Sequence, residues 1–143
     1  MKKLLLFFVL SFFYSNNVFA LNWTTIMEGV TDSNGVAQDV YYNKTKMTKE
    51  GNFLTLWVLL DFHKKTNGAK SSMILQTIEC GPSKYSTERF KLWRNISFDK
   101  SMAKGKTTYD SGEPKEDTPW RKVGPKNNTL IHIIINYICD NER

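Results

Sequence analysis

Two cysteines, Cys80 and Cys139, are the residues of this chain that could form a covalent bond with each other. In an oxidising compartment, two thiols of one chain are expected to form a disulfide. A zinc site would need four ligands, and the only histidines, His63 and His132, do not stand at ligand spacing from either cysteine. We therefore predict a structural, non-catalytic Cys80–Cys139 disulfide and no metal site. The bridge would close a loop of about 60 residues and stabilise the fold by roughly 4 kcal/mol.

A cluster of positive charge, called the basic cluster below, is the second candidate site. Its seven cations are opposed by only two carboxylates and are interleaved with Phe90, Trp93 and Phe98. Such a surface attracts anions: nucleic acid, heparin-like polysaccharide, lipopolysaccharide phosphates or acidic protein segments. The alternative is a solvated strand face whose lysines only keep the protein soluble. The cations of this predicted ligand-binding surface are Lys84, Arg89, Lys91, Arg94, Lys100, Lys104 and Lys106.

Other short motifs do not indicate catalysis. The run "AKGKTT" (Ala103 to Thr108) is similar to the end of a phosphate-binding loop, but Lys100 stands where the first glycine of that motif is needed. The turn at Asp32 lacks the later carboxylates of a calcium loop. The chain has no Gly-x-Ser-x-Gly sequence that would present a nucleophilic serine. We therefore expect no enzymatic activity, no catalytic residue and no cofactor.

The first twenty residues have the three parts of a secretory signal peptide. A positive start precedes an apolar core of eleven residues, Leu4 to Tyr14, and small residues stand at Val18 and Ala20. We predict that residues 1–20 are the signal peptide and that 21–143 form a single domain. The apolar core is shorter than the roughly 20 residues of a membrane-spanning helix, and no cysteine lies near the cleavage point. We expect a periplasmic or secreted chain without a membrane span, a lipid anchor or a nucleic-acid partner.

The two strongest strand patterns lie near the middle of the sequence. In "FLTLWVLLDF", from Phe53 to Phe62, every even position is apolar and the odd positions are mixed, which indicates a central strand with one deeply buried face. The next run, "SSMILQTIEC", ends at the strand stop Gly81-Pro82. With a period of two, it puts Ile74, Ile78 and Cys80 on one face.

Weaker strand patterns precede and follow these two. The runs "WTTIME" (Trp23 to Glu28) and "VAQDVYYN" (Val36 to Asn43) flank a predicted turn at 32–35. The run "STERFKLWRNISF" alternates apolar with basic residues, so it predicts an inward apolar side and an outward basic side. The segment Thr107 to Thr118 is rich in glycine, proline and charge and is predicted to be an exposed loop.

The last apolar segment, which ends in Cys139, is ambiguous. Its isoleucines favour a strand, because the odd positions from Ile131 to Cys139 are uniformly apolar. However, the polar residues recur every fourth position, at His132, Asn136 and Asp140, which would align them along one side of a helix. The three residues after Pro125 that could cap such a helix are Asn127, Asn128 and Thr129. Both a helix and a strand remain open on this pattern.

The order of these features resembles the surface-adhesin protein E family of exported bacterial proteins. The resemblance covers nearly all of the chain after the signal peptide, and its most specific feature is the spacing of the cysteines together with the proline-to-cysteine ending. The parts that carry it are Trp23, "VYYN" (Val40 to Asn43), "LWVLLDF" (Leu56 to Phe62), "ILQTIEC" ending in Cys80, "ISFDKSMAKGK" (Ile96 to Lys106) with Gly105, and Pro125 leading to Cys139.

The resemblance implies an α+β fold: an antiparallel sheet of about six strands with a C-terminal helix tied to its concave face by a disulfide. Cys139 would then meet Cys80, and the isoleucines would cover the sheet face that carries Leu56 and Val58. The resemblance also implies a homodimer that binds host extracellular-matrix and serum proteins. It differs in one respect, because the family includes a lipid-anchored member and this chain has no cysteine for such an anchor.

Two functions follow from these observations. The first is an exported, non-enzymatic binding protein that holds an extracellular protein or an anionic glycan. The alternative is a soluble periplasmic structural or accessory protein with no adhesive role. Small-molecule capture in the concavity of the sheet is disfavoured, because the terminal helix is expected to fill that space. An apolar pocket beside Trp57 would favour it.

Overall fold

A computed structural model describes residues 22–82, 87–123 and 129–142. Over these residues the backbone forms one antiparallel sheet of eight strands and one helix. The predicted signal peptide, Lys84 and Pro125 lie outside the described residues. The elements are β1 (Trp23–Thr31), β2 (Ala37–Asn43), β3 (Thr48–Glu50), β4 (Phe53–Thr66), β5 (Ala69–Cys80), β6 (Thr87–Lys100), β7 (Lys104–Asp110), β8 (Arg121–Lys122) and α1 (Leu130–Glu142).

The six longer strands follow one another in the order β1-β2-β4-β5-β6-β7, and the short strands β3 and β8 pair with β4 and β6. Tight turns set this order. At the predicted turn between β1 and β2, one Asp32 carboxylate oxygen accepts the amides of Asn34 and Val36 at 2.8 and 3.0 Å. Between β4 and β5, Asn67 and Gly68 both have positive φ, as a two-residue hairpin turn requires.

One face of the sheet, called the helix face, packs against α1. Leu54, Leu56 and Val58 are buried there, as the even positions of β4 predict. On the helix, Ile134, Ile135 and Ile138 are buried against them, while His132, Asn136 and Asp140 are half-buried. The sheet and the terminal helix are therefore confirmed. Thr129, one of the three predicted caps, directly precedes α1, and its carbonyl accepts the amides of His132 and Ile133 at 3.0 and 3.2 Å.

The disulfide joins the end of β5 to the last turns of α1. The Cα atoms of Cys80 and Cys139 are 5.6 Å apart, and the bridge spans 59 residues of chain. Both residues belong to the core that the helix and sheet share. The bridge therefore fixes the position of α1 on the helix face, as the predicted fold requires.

The opposite side of the sheet, called the outer face, has a small core of its own. Leu59 is fully buried there beside its cross-strand partner Met73. The turn between β6 and β7 is bonded to this face, since the Ser71 hydroxyl donates to the Lys100 carbonyl at 2.6 Å and accepts the Ala103 amide at 3.0 Å. The β6–β7 turn is therefore bonded to the same face of the sheet that carries Leu59.

The predicted loop at Thr107 to Thr118 is wrong at its start. Residues 107–110 belong to β7, which pairs with β6 as an edge strand. All seven residues of β7 are exposed, so the prediction of exposure is correct although the prediction of a loop is not. Glycine and proline begin only at Gly112 and Pro114, and the charged residues before them do not prevent pairing at a sheet edge.

Candidate functional site

The structure divides the basic cluster into two groups. Arg89, Lys91 and Arg94 lie between the start and the middle of β6, whereas Lys100 ends that strand and Lys104 and Lys106 follow in β7. At about 3.3 Å per residue, the six positions from Arg94 to Lys100 separate the nearest cations of the two groups along β6 by roughly 20 Å. The six described cations therefore do not form one continuous surface.

Arg94 is engaged within the protein. Its guanidinium donates twice to the Asp110 carboxylate, at 2.7 and 3.0 Å, and once to Glu113 at 2.6 Å. Hydrogen bonds from Arg94, and then from the Gly112 amide, lower the pKa of Asp110 to about 2. The charge of Arg94 is thus opposed by two carboxylates and contributes little to an anion-binding surface.

The other two cations of the first group lie among aromatic rings on the outer face. The Lys91 Nζ atom is 4.7 Å from the centre of the Trp93 ring and 5.0 Å from that of Trp120. The Arg89 guanidinium lies 4.5 Å over Trp120, whose ring also contacts Phe53 at 5.8 Å between centroids. These five residues, Phe53, Arg89, Lys91, Trp93 and Trp120, are called the outer-face site below.

Strand pairing brings the outer-face site together. β8 pairs with β6 opposite Arg89 and Phe90, so Trp120, which directly precedes β8, lies next to the start of β6. Trp93 occupies a bulge in β6, and its indole N–H donates to the Thr77 hydroxyl at 2.6 Å. A bulge turns two successive side chains toward one face, so the rings are held by backbone pairing and by a hydrogen bond.

A cavity of about 340 Å³ opens beside these rings. Its lining includes the rings of Phe53, Trp93 and Trp120, one carboxylate residue, Glu50, and Thr55 and Thr77, whose hydroxyls lie 2.7 Å from each other. The cavity therefore offers flat aromatic surface and hydroxyl groups, and the cations Arg89 and Lys91 lie beside it against the rings of Trp93 and Trp120. This combination can bind an extended anionic ligand.

Trp120 is the residue of this site that the sequence patterns do not indicate. It lies between an exposed charged segment and a two-residue strand, and neither has a period that assigns a side chain to a face. The only available signal was the sequence Trp-Arg-Lys itself, an aromatic residue next to two cations. The position of Trp120 depends on the pairing of β8 with β6, and the paired residues of β6 lie about 30 positions earlier in the chain.

A second cavity lies on the helix face. It has a volume of about 490 Å³ and lies between the start of α1 and the part of the sheet where β2 begins, β4 ends and β5 begins. The expectation that the helix fills the concavity is therefore wrong, because α1 covers only part of the helix face. Trp57 alternates with Leu56 and Val58 and so lies on the outer face, which means that the apolar pocket is not beside it.

No helix in the described part of the chain has both the length and the apolar character needed to cross a membrane. Among residues 22–82, 87–123 and 129–142, no three histidine, cysteine, aspartate or glutamate side chains are grouped as metal ligands.

Comparison with known protein families gives a match over most of the chain. The family model described as surface-adhesin protein E matches residues 23–140. No curated protein and no solved structure gives a significant match. The matched range includes every described strand, both cysteines and nearly all of α1, so the chain belongs to the surface-adhesin protein E family.

Proposed function

We propose that this chain is an exported, non-enzymatic binding protein whose outer-face site holds an anionic glycan or an acidic segment of an extracellular protein. Membership of the surface-adhesin protein E family supports binding to an external target. The observation that carries the assignment to this face is the position of the Lys91 ammonium between the rings of Trp93 and Trp120.

The charge of Lys91 supports this proposal. Within the described part of the chain, Lys91 forms no ion pair, whereas Arg89 pairs with Glu79 and Arg94 with Asp110 and Glu113. The two indole rings attract the ammonium group and restrict its motion. An anion that binds Lys91 therefore meets a cation that is already positioned, which reduces the entropy lost on binding.

The surroundings of Lys91 favour a polymeric ligand. The aromatic surfaces of Phe53, Trp93 and Trp120 extend the contact area beyond a single charge. Aromatic residues and arginine are the side chains that most often dominate binding energy at protein interfaces. A sulfated or carboxylated polysaccharide, or an acidic peptide, could place one anion on Lys91 while its neighbouring units pack on the rings.

The test compares two variants that remove the same charge. Lys91→Met removes the ammonium group but keeps a side chain of similar length over the rings, and Lys106→Met does the same in the exposed strand β7. We expect Lys91→Met to weaken binding to immobilised heparin and to polyglutamate by roughly tenfold, and Lys106→Met by less than about twofold. Equal losses in both variants would show that net charge alone governs retention and would contradict the proposal.

Cell fractionation tests the other part of the proposal. Protein at the cell surface or in the medium agrees with a binding role outside the cell. Protein found only in the periplasm, with no retention on either ligand, would support the accessory alternative instead. The homodimer implied by the family remains a prediction, which light scattering of the purified chain would measure.

A further inference from the structure

The cavity on the helix face continues into a longer groove. Another cavity, with a volume of about 500 Å³, adjoins the cavity beside α1 and reaches Tyr109 in β7. The two cavities share the walls formed by Leu60, Phe62 and Ile74. Together they are called the helix-face groove below. Each volume falls in the range of about 300–1,000 Å³ that is typical of small-molecule sites.

The groove exists because α1 packs over only part of the length of β4. The helix buries Leu54, Leu56 and Val58, but Leu60 and Phe62 continue the same apolar face and are only half-buried. Leu130, Ile131 and Ile134 of the first helical turns form the opposite wall. An apolar ligand body in this space would therefore be enclosed by aliphatic side chains from both the sheet and the helix.

A buried amide lies at the floor of the groove. Gln38 is 1% exposed and lines the cavity, and its side-chain oxygen Oε1 has no hydrogen-bond partner among the described residues. Buried amide oxygens in proteins nearly always accept a hydrogen bond. A ligand that carries an N–H or O–H group could supply the donor that the protein does not.

The charge of the groove is unlike that of the rest of the protein. The chain has a formal net charge of +6, yet among the described residues no lysine or arginine lines either cavity. Among the described residues of the lining, Asp32 supplies the only carboxylate, beside Ser33 and Asn34. Since a carboxylate repels anions and attracts cations, the groove favours ligands with an uncharged or a cationic polar end.

From these observations we propose that the helix-face groove is a binding site for a small uncharged or cationic amphiphile. Its apolar body would pack between Leu60, Ile74 and Ile131, and its N–H or O–H group would donate to Gln38 Oε1. A cationic end would lie near Asp32. This site is separate from the outer-face site, because the two lie on opposite faces of the sheet.

A matched pair of fluorescent probes tests the ligand class on the purified, disulfide-bonded chain. N-phenyl-1-naphthylamine is uncharged and carries one N–H group, and 8-anilinonaphthalene-1-sulfonate has the same ring system with an added sulfonate. We expect the uncharged probe to bind saturably at one site per chain and the sulfonate to bind at least roughly tenfold more weakly. Dodecylamine should displace the uncharged probe, and dodecanoate should not. Equal or tighter binding of the sulfonate would overturn the proposal.

Neighbouring residues of β5 provide a matched pair of variants. Ile74 lines the groove on the helix face, and Leu75 points to the outer face, while both are half-buried. We expect Ile74→Trp to abolish binding of N-phenyl-1-naphthylamine and Leu75→Trp to leave it unchanged. Equal effects of the two substitutions would place the probe elsewhere and contradict the assignment.

The role of Gln38 is tested by Gln38→Met, which keeps the length of the side chain and removes the acceptor. We expect affinity for the uncharged probe to fall roughly fivefold, with no change for a control variant, Asp39→Asn, at the adjacent position of β2. Circular dichroism and melting curves identify a variant that does not fold. In that case the wild-type comparison of the two probes, which needs no substitution, still decides the ligand class.

Discussion

Tyr42 connects the sheet to the last turn of α1. Its hydroxyl donates to the carboxylate of Glu142, which also lies 2.9 Å from the ammonium group of Lys44. The ring is 2% exposed and packs edge-on against Tyr137 with centroids 6.5 Å apart. Burial, followed by the hydrogen bond to Glu142, raises the pKa of Tyr42 well above its ordinary value. The C-terminal end of the helix therefore depends on a neutral phenol.

Replacing Tyr42 by phenylalanine should weaken this connection. A hydrogen bond to a charged group contributes about 1.5–3 kcal/mol, so we expect Tyr42→Phe to lower the free energy of unfolding by that amount at neutral pH. Because the folded pKa lies above the unfolded value of 10.0, the contribution is fully present below about pH 10 and is lost as the pH rises through the folded pKa. Urea unfolding at neutral and alkaline pH measures both effects.

Tyr109→Phe is the control for this prediction, since Tyr109 is 54% exposed in β7 and its hydroxyl forms no hydrogen bond in the described part of the chain. It should change the free energy of unfolding by less than about 0.5 kcal/mol. Ultraviolet titration of the phenols should show that Tyr42→Phe removes the group that ionises at the highest pH. If the variant instead lost a phenol that ionises at a lower pH, the environment described for Tyr42 would be contradicted.

At the scale of elements, the hairpin between β6 and β7 depends on Gly105. This residue has a φ of +84°, and a Cβ atom there would overlap the carboxylate of Asp99 and approach the Lys100 side chain. The same Asp99 carboxylate accepts the amide of Lys106 at 2.8 Å. A side chain at position 105 would therefore displace the group that holds the start of β7.

Gly112 offers a matched control for Gly105, because its φ is +87° and a Cβ atom there would meet nothing. Gly112→Ala should cost about 1 kcal/mol through backbone strain alone. Gly105→Ala should cost about 1–2 kcal/mol more, because it also breaks the hydrogen bond from Lys106 to Asp99. The difference between the two in urea unfolding isolates the contribution of Asp99. Equal losses of unfolding free energy in the two variants would mean that the Asp99 carboxylate moves aside without weakening the hairpin.

Local patterns predict the elements well because each one buries a single face. The period of two in β4 identifies Leu54, Leu56 and Val58, and the polar residues at every fourth position are consistent with α1. Leu59 is different, since it is an odd position that is fully buried, on the face to which the β6–β7 turn is bonded through Ser71, about 30 residues earlier in the chain. A hydrophobic period read from neighbouring residues cannot predict a contact between segments so far apart in the chain.

The candidate site is predicted less well for the same reason. Seven cations close together in the chain suggest one surface, but the direction of β6 spreads them along its length. Arg94 is paired by Asp110 and Glu113, which are 16 and 19 residues away. Trp120 reaches Lys91 only through β8. Which cations are available to a ligand therefore depends on contacts that arise from the pairing of distant strands.

At the scale of the whole molecule, α1 depends on the disulfide. An isolated helix of thirteen residues is only marginally stable in water, so α1 needs the sheet to cover its buried isoleucines. The Cys80–Cys139 bridge closes a loop of 59 residues, and the entropy lost by the unfolded chain corresponds to about 4 kcal/mol. This amount is comparable to the net stability of a small domain.

The double variant Cys80→Ser/Cys139→Ser should lose about 4 kcal/mol of unfolding free energy, which thermal melting and urea unfolding would measure. Reduction of the wild-type chain by a thiol should produce the same loss. The thiol should have no effect on the double variant, which makes that variant its own control. A wild-type chain whose melting temperature is unchanged by reduction would contradict the structural role of the bridge.

The two proposed sites should respond differently to loss of the bridge. Leu130, Ile131 and Ile134 form one wall of the helix-face groove, whereas α1 contributes no residue to the outer-face site. At a temperature where the reduced chain keeps its sheet, loosening of α1 should therefore weaken binding of N-phenyl-1-naphthylamine and leave heparin binding unchanged. The strand signal in circular dichroism verifies that the sheet persists. Parallel loss of both activities while that signal is intact would show that the two faces are coupled through the sheet and do not act as separate sites.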